Sequence, residues 1–489
     1  MTNGVKSAYA EHDTINERTS GTGVTVDGVV LKDSKVTGDL KLRNISVESP
    51  IKVDNDGDIV TLTASQYRTL IGLATVAASG SYADLSNKPT SFWSDVAVPT
   101  GFDWTPPFTI QSKDGAYRIR PDFDIRSRAG ITVVATYYVD RRVGNDSNAG
   151  TSWSAPLATL AAAASKPDVD RIFIRGGRYW RSECIPAPSR NVEVIAADDD
   201  TIISSSFNNR LSTWTPTGNY YQASVTGSDY AAGMLDYSNL DELGNPQRLE
   251  RKTSIAEVDA QAGSFWQQTS GTDVYVRLFD DRAPDSQVFV IESLSLAAQG
   301  DALTVYYENV TFEGGGIRVR NNTAAGGARA YFNDCVFPSA AMYGVDEVIF
   351  ESCIAGGVQG DIANYDARNG VATRVAEIDC KFGGGDFDTM TQASTNHNGG
   401  RTIGVLSQYF STSGQNVANA VNSHTWLVAC AAYRSESGVG FYTDSKMWLE
   451  GCRSYHNATD LQNTSGATTY TKDFDGMSSN DIGGTLTAY

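Results

Sequence analysis

Residues 333–340 read "NDCVFPSA", a cysteine between an acidic residue and an apolar pair, followed by small residues. Similar short patterns recur downstream, each with a small apolar residue before a corner rich in Gly, Ser or Asn. The aligned positions are Val310, Cys335, Cys353, Cys380, Cys430 and Cys452. "IGVLSQYF" near Val405 fits as a repeat without cysteine, which gives a mean period of about 24 residues. Such a period indicates a solenoid of stacked short strands.

The cysteines are predicted to mark the interior of that solenoid. Cysteine packs as a small hydrophobe and is among the most buried residue types. No C-x-x-C pair occurs, and Cys380, followed by Lys381, is the only one of these cysteines with a His or Lys directly beside it in the sequence, so lowered thiol pKa values are not expected for the set. We therefore expect reduced, stacked thiols, with Cys335 between Val310 and Cys353, rather than a reactive or disulfide-bonded set.

Composition and charge limit the partners. The chain has 489 residues, 46 of them Gly, and a formal net charge of −18. The length favours two to four structural units, and abundant Gly, Ser, Thr and Asn favour strands and turns over helices. The negative surface repels nucleic acid and anionic membranes, so neither is an expected partner. An acidic sugar would need a groove that is locally neutral or basic.

Localisation and cofactor predictions rest on absent motifs. The first residues, "MTNGVKSAYAEHD", contain no apolar region typical of a signal peptide, which predicts synthesis in a cytoplasm without translocation. No apolar run reaches 18 residues, so no membrane insertion is expected. "DNDGD" at 54–58 lacks the Gly and Glu that a calcium loop needs at positions 6 and 12. Neither a metal nor a cofactor is predicted.

Two further stretches carry a resemblance to a known fold. "YYVDRRVGNDSNAGTSWSAPLATLAAAAS" (137–165) and "DRIFIRGGRYWRSE" (170–183) are similar to the opening of right-handed parallel β-helices of the pectate-lyase-like kind. The resemblance implies an all-β body over 137–489, with a short helix that caps its first turn. The period fails over about 205–290, where we predict a β-rich insertion.

The first 136 residues resemble a different kind of protein. "ERTSGTGVTVDGVVLKD" (17–33) and "GSYADLSNKPT" (80–90) look like segments of bacteriophage tail fibres and tailspikes. The resemblance implies a virion-attachment segment over 1–60, a stalk with a Pro-rich linker over 61–107, and a neck over 108–136. It also implies a homotrimer in the virion tail, with other tail proteins and a bacterial surface glycan as partners.

Tailspikes of this kind often cleave the glycan they bind, and cleavage requires two carboxylates. Residues at i and i+2 of a strand point to one side about 6.6 Å apart, within the range for an inverting glycosidase. Asp386 and Asp388 meet that condition, and His397 follows closely enough to orient one of them. The same acids also fit an ordinary solvated corner. A second acidic group consists of Asp361, Asp366, Glu377 and Asp379. Glu377 and Asp379 are predicted to share a strand face, and Glu377 is a candidate third carboxylate, although the group also fits a charged outer face.

Aromatic and basic side chains on the last repeats are candidate sugar contacts. These are Trp426, Tyr433, Arg434 and Tyr442. Because alternate residues of a strand point inward, we expect only two or three of the five aromatics on these repeats to be exposed, a set that adds Trp448 and Tyr455 to Trp426, Tyr433 and Tyr442.

Three functions remain open at this stage. The chain is predicted to be a tailspike or fibre that binds a bacterial surface polysaccharide and either depolymerises it or acts as an adhesin. The third function is a structural virion fibre or collar without a receptor. An exposed aromatic groove separates the first two from the third, and a carboxylate pair inside it separates the enzyme from the adhesin.

Overall fold

The computed structural model describes part of the chain. Within residues 1–92 it describes only five short strands. From 93 to 489 it describes all residues except 181–182, 185–189, 205–212, 225–230, 241–245, 268–272, 286, 293–295, 300–301, 314–315, 322–325, 357–360, 384–391, 436–437 and 477–479.

The body is a parallel β-solenoid of about ten turns built from three sheets, as predicted. Sheet 1 contains Thr136–Asp140, Arg171–Arg175, Val192–Ala196, Thr304–Glu308, Arg329–Asn333, Glu347–Glu351, Arg374–Ile378, Arg401–Val405, His424–Val428, Lys446–Glu450, Thr468–Lys472 and Thr485–Ala488. Sheet 2 contains Arg178–Tyr179, Ile202–Ser204, Thr311–Glu313, Val336–Phe337, Ile354–Ala355, Lys381–Gly383, Gln408–Phe410, Ala431–Tyr433, Arg453–Tyr455 and Asp475–Gly476. Sheet 3 contains Leu296–Gln299, Ile317–Arg320, Ala340–Tyr343, Ala363–Asp366, Gln392–His397, Gln415–Asn419, Val439–Thr443, Thr459–Asn463 and Asn480–Ile482.

The quoted stretch forms the bend between sheets 1 and 2. Asp334 adopts a left-handed conformation with φ of 50°, and Cys335 then points inward and is fully buried. The bend is hydrogen-bonded across turns, since Asp334 N donates to Glu351 O and Val336 N donates to Val310 O. The single left-handed residue turns the chain from sheet 1 into sheet 2. Cys335 can therefore point into the interior while the strands on both sides stay paired with the neighbouring turns.

The same bend repeats at each turn. The left-handed residues that precede the inward ones are Asn309, Asp334, Ser352, Asp379, Leu406, Ala429 and Gly451. All six cysteines are buried and free, and Ser407 occupies the cysteine position in the repeat without one. The prediction of reduced thiols inside the solenoid agrees with this arrangement.

A substitution at Asp379 tests the bend. Its φ is 51° and its side chain is exposed, so few packing contacts complicate the result. We expect Asp379→Val to unfold at a lower urea concentration than Asp379→Asn, with a free energy of unfolding about 1–2 kcal/mol smaller. The reason is that Asn tolerates the left-handed backbone conformation and the β-branched Val does not. Both variants remove the same charge. Equal stabilities would mean that the bend is not strained.

A short helix, Leu160–Ala164, covers the first turn, as the resemblance implied. Thr159 caps it by accepting a hydrogen bond from Ala162 N, and Asp146 in turn accepts from Thr159 N and Oγ1. Leu160 and Leu157 are fully buried against the first strands. The helix therefore keeps water away from an apolar stack that would otherwise end in solvent.

The insertion lies between the third and fourth turns. One group contains the antiparallel strands Thr215–Thr217, Tyr220–Ser224, Asp273–Arg277 and Ser264–Gln267, with Glu250–Arg251 added in parallel beside Ser264–Gln267. A second, antiparallel group contains Pro246–Arg248, Ala231–Leu240 and Val288–Glu292. The helix Ile255–Ala260 completes it. Met234, Phe265 and Val274 belong to a core of its own. It is the β-rich insertion that the loss of period predicts.

Residues 93–135 lie along the outer face of sheet 1, and we call them the strap. The strap contains strands Ser94–Asp95, Ile110–Lys113 and Ala116–Ile119 and the helix Ile125–Ala129. Its Phe102, Trp104 and Ile110 are buried against outward residues of sheet 1, such as Trp426 and Trp448. The predicted linker to 107 and neck over 108–136 are corrected here, because these residues form part of the folded body.

Ion pairs fix the strap at both ends. Arg128 forms a bidentate pair with Glu347, at 2.7 and 2.6 Å. Asp103 accepts hydrogen bonds from Arg401 and faces His424 Nδ1 at 2.8 Å, and the Arg401 guanidinium is the main reason that its pKa falls to about 2. The strap thus covers the outer face of sheet 1 with both apolar and charged contacts.

Residues 1–92 form a separate unit. Its described strands are Val24–Val26, Val29–Lys32 and Lys35–Thr37, which form an antiparallel sheet, and the hairpin Ile51–Val53 with Ile59–Thr61. The virion-attachment segment and stalk predicted over 1–60 and 61–92 otherwise fall outside the described residues. Across the described chain, helices are too short or too polar to cross a membrane.

Candidate functional site

Three aromatic side chains stack on the outer face of sheet 2, and we call Phe410, Tyr433 and Tyr455 the aromatic ladder. They occupy the same position on three successive strands. Ring centroids are 5.3 Å apart for Phe410 and Tyr433 and 5.1 Å for Tyr433 and Tyr455, with ring planes within 9°. All three side chains are half-buried, so the stack presents ring edges and Tyr hydroxyls to solvent.

The ladder begins above a glycine. Gly383 occupies its position on the preceding strand, and a Cβ there would lie 1.9 Å from Phe410 O. Gly383 itself therefore provides no side chain to cover the lower face of Phe410, within the residues that the structure describes. A ring face next to an obligatory glycine is the kind of surface on which a sugar ring can stack.

A cavity of about 510 Å³ adjoins the ladder. Its lining includes Gln408, Ala431, Arg453, Tyr455 and Asp475. Gln408, Ala431, Arg453 and Asp475 follow one another on successive strands, and the small Ala431 leaves the hollow between its longer neighbours. Gln408 Oε1 accepts a hydrogen bond of 3.0 Å from the Tyr433 hydroxyl.

Basic residues line the opposite side of the ladder. Arg434 and His456 follow Tyr433 and Tyr455 in left-handed bends, at φ of 59° and 56°, and both are exposed. The His456 ring meets the edge of Tyr455 with centroids 5.6 Å apart. Aromatic edges, hydroxyls, an amide and cations thus lie on one face, a combination suited to binding a polar chain with apolar ring faces.

The predicted catalytic carboxylates cannot be placed on this face. Asp386 and Asp388 lie outside the described residues. His397 ends a strand of sheet 3 and lies in register with Asp366, whose carboxylate accepts a 2.6 Å hydrogen bond from Asn398. The proposed roles of Asp386, Asp388 and His397 stay predictions.

The structure corrects Trp426 as a sugar contact. Its side chain is only 1% exposed, because Phe102 of the strap packs edge-on against it with centroids 5.9 Å apart. Trp448 on the next strand is equally buried. The rings point outward from the solenoid, as strand alternation requires, but the strap and not solvent covers them.

The remaining predicted contacts lie on two sheets. Tyr433 and Arg434 are adjacent on sheet 2, whereas Tyr442 is half-buried on the outer face of sheet 3. Burial, with the nearby Asp444, raises the pKa of Tyr442. Of the five aromatics considered, Tyr433, Tyr442 and Tyr455 retain exposure, the number that was expected.

Glu377, expected among surface carboxylates, lies inside the solenoid. It is fully buried and its Oε1 accepts hydrogen bonds from Tyr365 Oη at 2.6 Å and Ser394 Oγ at 2.8 Å. Tyr409 Oη donates to the other oxygen. Burial raises the Glu377 pKa despite these donors. It has no access to a ligand on the outer faces, so it is removed from the catalytic candidates.

Sequence reasoning missed Phe410, Gln408 and the ladder itself. The signal was present, since each ladder residue comes three positions after the inward residue of its bend: Ser407, Cys430 or Cys452. An alignment on those positions places Phe410, Tyr433 and Tyr455 in one outward row. The alignment included this repeat near Val405 but did not identify Ser407 as its inward residue, so Phe410 was not recognised as the neighbour of Tyr433.

Comparisons with known proteins give weak likenesses. No family model and no curated protein matches the chain. Among solved structures, the complex of XylC with xylose shares 11% identity at a TM-score of 0.43, over 72% of this chain and 70% of that one. A glycoside hydrolase shares 11% sequence identity at a TM-score of 0.42, and the match covers 72% of this chain and 96% of that one. Pectate lyase Pel9A shares 13% identity at a TM-score of 0.33, over 73% of this chain and 80% of that one.

Proposed function

We propose that this chain is a tailspike or tail-fibre subunit of a bacteriophage that binds a bacterial surface polysaccharide along the outer face of sheet 2. The aromatic ladder is the observation that carries the binding proposal. Its three stacked rings do not belong to the packed interior of the solenoid, and they lie beside a cavity and exposed cations. The phage assignment is supported by the fibre-like segments before residue 136. It also implies a homotrimer in the virion tail, to be tested by light scattering on the full chain.

Binding can be tested with purified capsules and lipopolysaccharides from a panel of bacteria. We expect Tyr433→Ala and Tyr455→Ala each to weaken binding of the recognised glycan by about tenfold or more, as loss of a central aromatic contact does. Calorimetric or surface-binding measurements on the folded full chain provide the readout.

Tyr220→Ala provides the matched control. Tyr220 is also half-buried and meets Tyr275 edge-on, but it lies on the insertion. Its variant should bind within about twofold of wild type. If ladder variants bind normally, or if no glycan in a broad panel binds, the glycan proposal fails and a structural fibre is the better assignment.

A depolymerase is the second candidate, and the same panel separates it from an adhesin. Oligosaccharide release from a bound glycan would support cleavage, with Asp386 and Asp388 the first carboxylates to substitute. Binding without release would support the adhesin.

A further inference from the structure

Three arginines on and beside sheet 3 have no acidic partner in the part of the chain that the structure describes. Arg318 and Arg320 point outward from the same strand, and Arg368 follows the strand two turns later. Among the described residues, none of the three forms an ion pair, and each Nε atom is shielded from solvent without a hydrogen-bond acceptor. Unpaired guanidinium groups that are partly withdrawn from water are costly, because they lose hydration and gain no acceptor.

The arginines are close enough to act on one ligand. Residues at i and i+2 of a strand are separated by about 6.6 Å on the same face, which places Arg318 beside Arg320. Arg368 approaches them from the next corner, where its Cβ lies 3.0 Å from the position that a Cβ of Gly344 would take. Gly344 follows Tyr343, the neighbour of Arg320 on the adjacent strand.

A short side chain lies in the register row of one of these cations. Arg318, Ala341 and Asn364 occupy one register row on successive strands, so the short Ala341 side chain separates two long ones about 9.6 Å apart. Asn364 Oδ1 is also shielded and has no donor among the described residues. Tyr343 lies in the neighbouring row, in register with Arg320.

The surrounding charge argues for an anionic ligand. The chain carries a net charge of −18, so free anions and acidic polymers are repelled unless a local cluster compensates. The carboxylate nearest in register is Asp366, on the strand two turns above Arg320, and it is engaged by Asn398. Guanidinium groups bind carboxylates and other oxyanions through paired hydrogen bonds.

We propose that Arg318, Arg320 and Arg368 bind the acidic substituent of a glycan, with Asn364 Oδ1 accepting a hydrogen bond from an adjacent sugar hydroxyl. This inference rests on the proposed glycan-binding function and specifies its substrate class, an acidic polysaccharide. The site is separate from the aromatic ladder, which lies on another sheet and several turns farther along the solenoid.

The test uses the full chain and three probes: an oligogalacturonate, the same oligomer after reduction of its carboxyl groups, and inorganic phosphate. We expect the oligogalacturonate to bind about tenfold or more tightly than its reduced form, and Arg318→Gln with Arg320→Gln to abolish that preference. Arg320→Lys should recover only part of it, because Lys keeps the charge without the paired donors. Arg329→Gln, an exposed arginine on sheet 1, is the control and should change nothing.

The outcomes separate the possible sources. Phosphate binding that depends on Arg318 and Arg320, without preference for the acidic oligomer, would replace the glycan assignment with a free-anion site. The site would be overturned if neither the oligogalacturonate nor phosphate binds. It would also be overturned if the double variant keeps the full preference for the oligogalacturonate over its reduced form. Tyr433→Ala should leave phosphate binding unchanged, so failure of the ladder proposal and failure of this one give different results.

Discussion

Glu377→Ala is expected to reduce the free energy of unfolding by at least about 3 kcal/mol at pH 4. The substitution leaves the hydroxyls of Tyr365, Tyr409 and Ser394 buried without their shared acceptor, and each such loss costs about 1–3 kcal/mol. It also opens a cavity in the interior stack. Urea denaturation followed by tryptophan fluorescence measures the effect.

Removal of the donors together with the acceptor provides the control. Glu377→Leu continues an apolar row in which Phe350 lies in register on one side, and it still leaves the two tyrosine hydroxyls unsatisfied. Adding Tyr365→Phe and Tyr409→Phe should restore most of the stability, because replacement of both partners by apolar groups can be nearly neutral. If the triple variant is no more stable than Glu377→Leu, the hydrogen bonds are not the cause.

The pH dependence of stability has a definite sign. Because burial raises the Glu377 pKa in the folded state, the folded chain keeps this proton above about pH 4.3, where an unfolded glutamate loses it. Stability from this group is therefore complete at lower pH and declines as pH rises toward the folded pKa, by at most about 1.4 kcal/mol per unit.

Glu377→Gln isolates that dependence from the other carboxyl groups. The variant should lack the decline, so the stability of wild type relative to Glu377→Gln should fall as the pH rises above about 4.3. Parallel curves for the two proteins would mean that the folded carboxyl titrates as it does in the unfolded chain.

Trp426→Ala is expected to reduce the free energy of unfolding by about 3–5 kcal/mol, the range for a large buried aromatic. The ring lies in the contact between strap and sheet 1, against Phe102, so the loss should loosen the strap as well. Urea midpoints and proteolysis near residues 93–135 would report both effects. Solenoids can unfold in stages, so more than one probe should be followed.

The matched comparison is Tyr433→Ala. Tyr433 is half-buried and stacks in the solvent-facing ladder, so its loss should cost stability by only about 1 kcal/mol while it weakens glycan binding. Trp426→Ala, measured below its unfolding transition, should bind glycan normally. Reversed effects would place the sugar contact on sheet 1 and contradict the burial of Trp426.

The local sequence determined the repeating unit of this protein. Asp334 and Cys335 form a bend through contacts with the immediately neighbouring turns, so a pattern of about 24 residues was sufficient to predict it. The capping helix was likewise specified by Thr159 and the apolar residues next to it. Where the interactions lie within one repeat or between adjacent repeats, periodicity carries the information.

The direction in which side chains point at the strand ends depended on the conformation of the bend residue. Alternation places Glu377 and Asp379 on the same face of a strand, which made both of them surface candidates. The strand ends at Ile378, and the left-handed conformation of Asp379 breaks the alternation, so Glu377 points inward while Asp379 is exposed. A single bend residue decides which of two neighbouring acids can meet a ligand.

Burial of the outer face was decided only by tertiary structure. Trp426 alternates outward, as its strand predicts, yet its partner Phe102 is more than 300 residues away in the chain. Nothing in the repeat around Trp426 indicates that a distant segment covers it, whereas Tyr433 on the adjacent sheet stays partly exposed. The repeat pattern determined which side chains leave the solenoid, and long-range packing of the strap determined which of these remain available to a ligand.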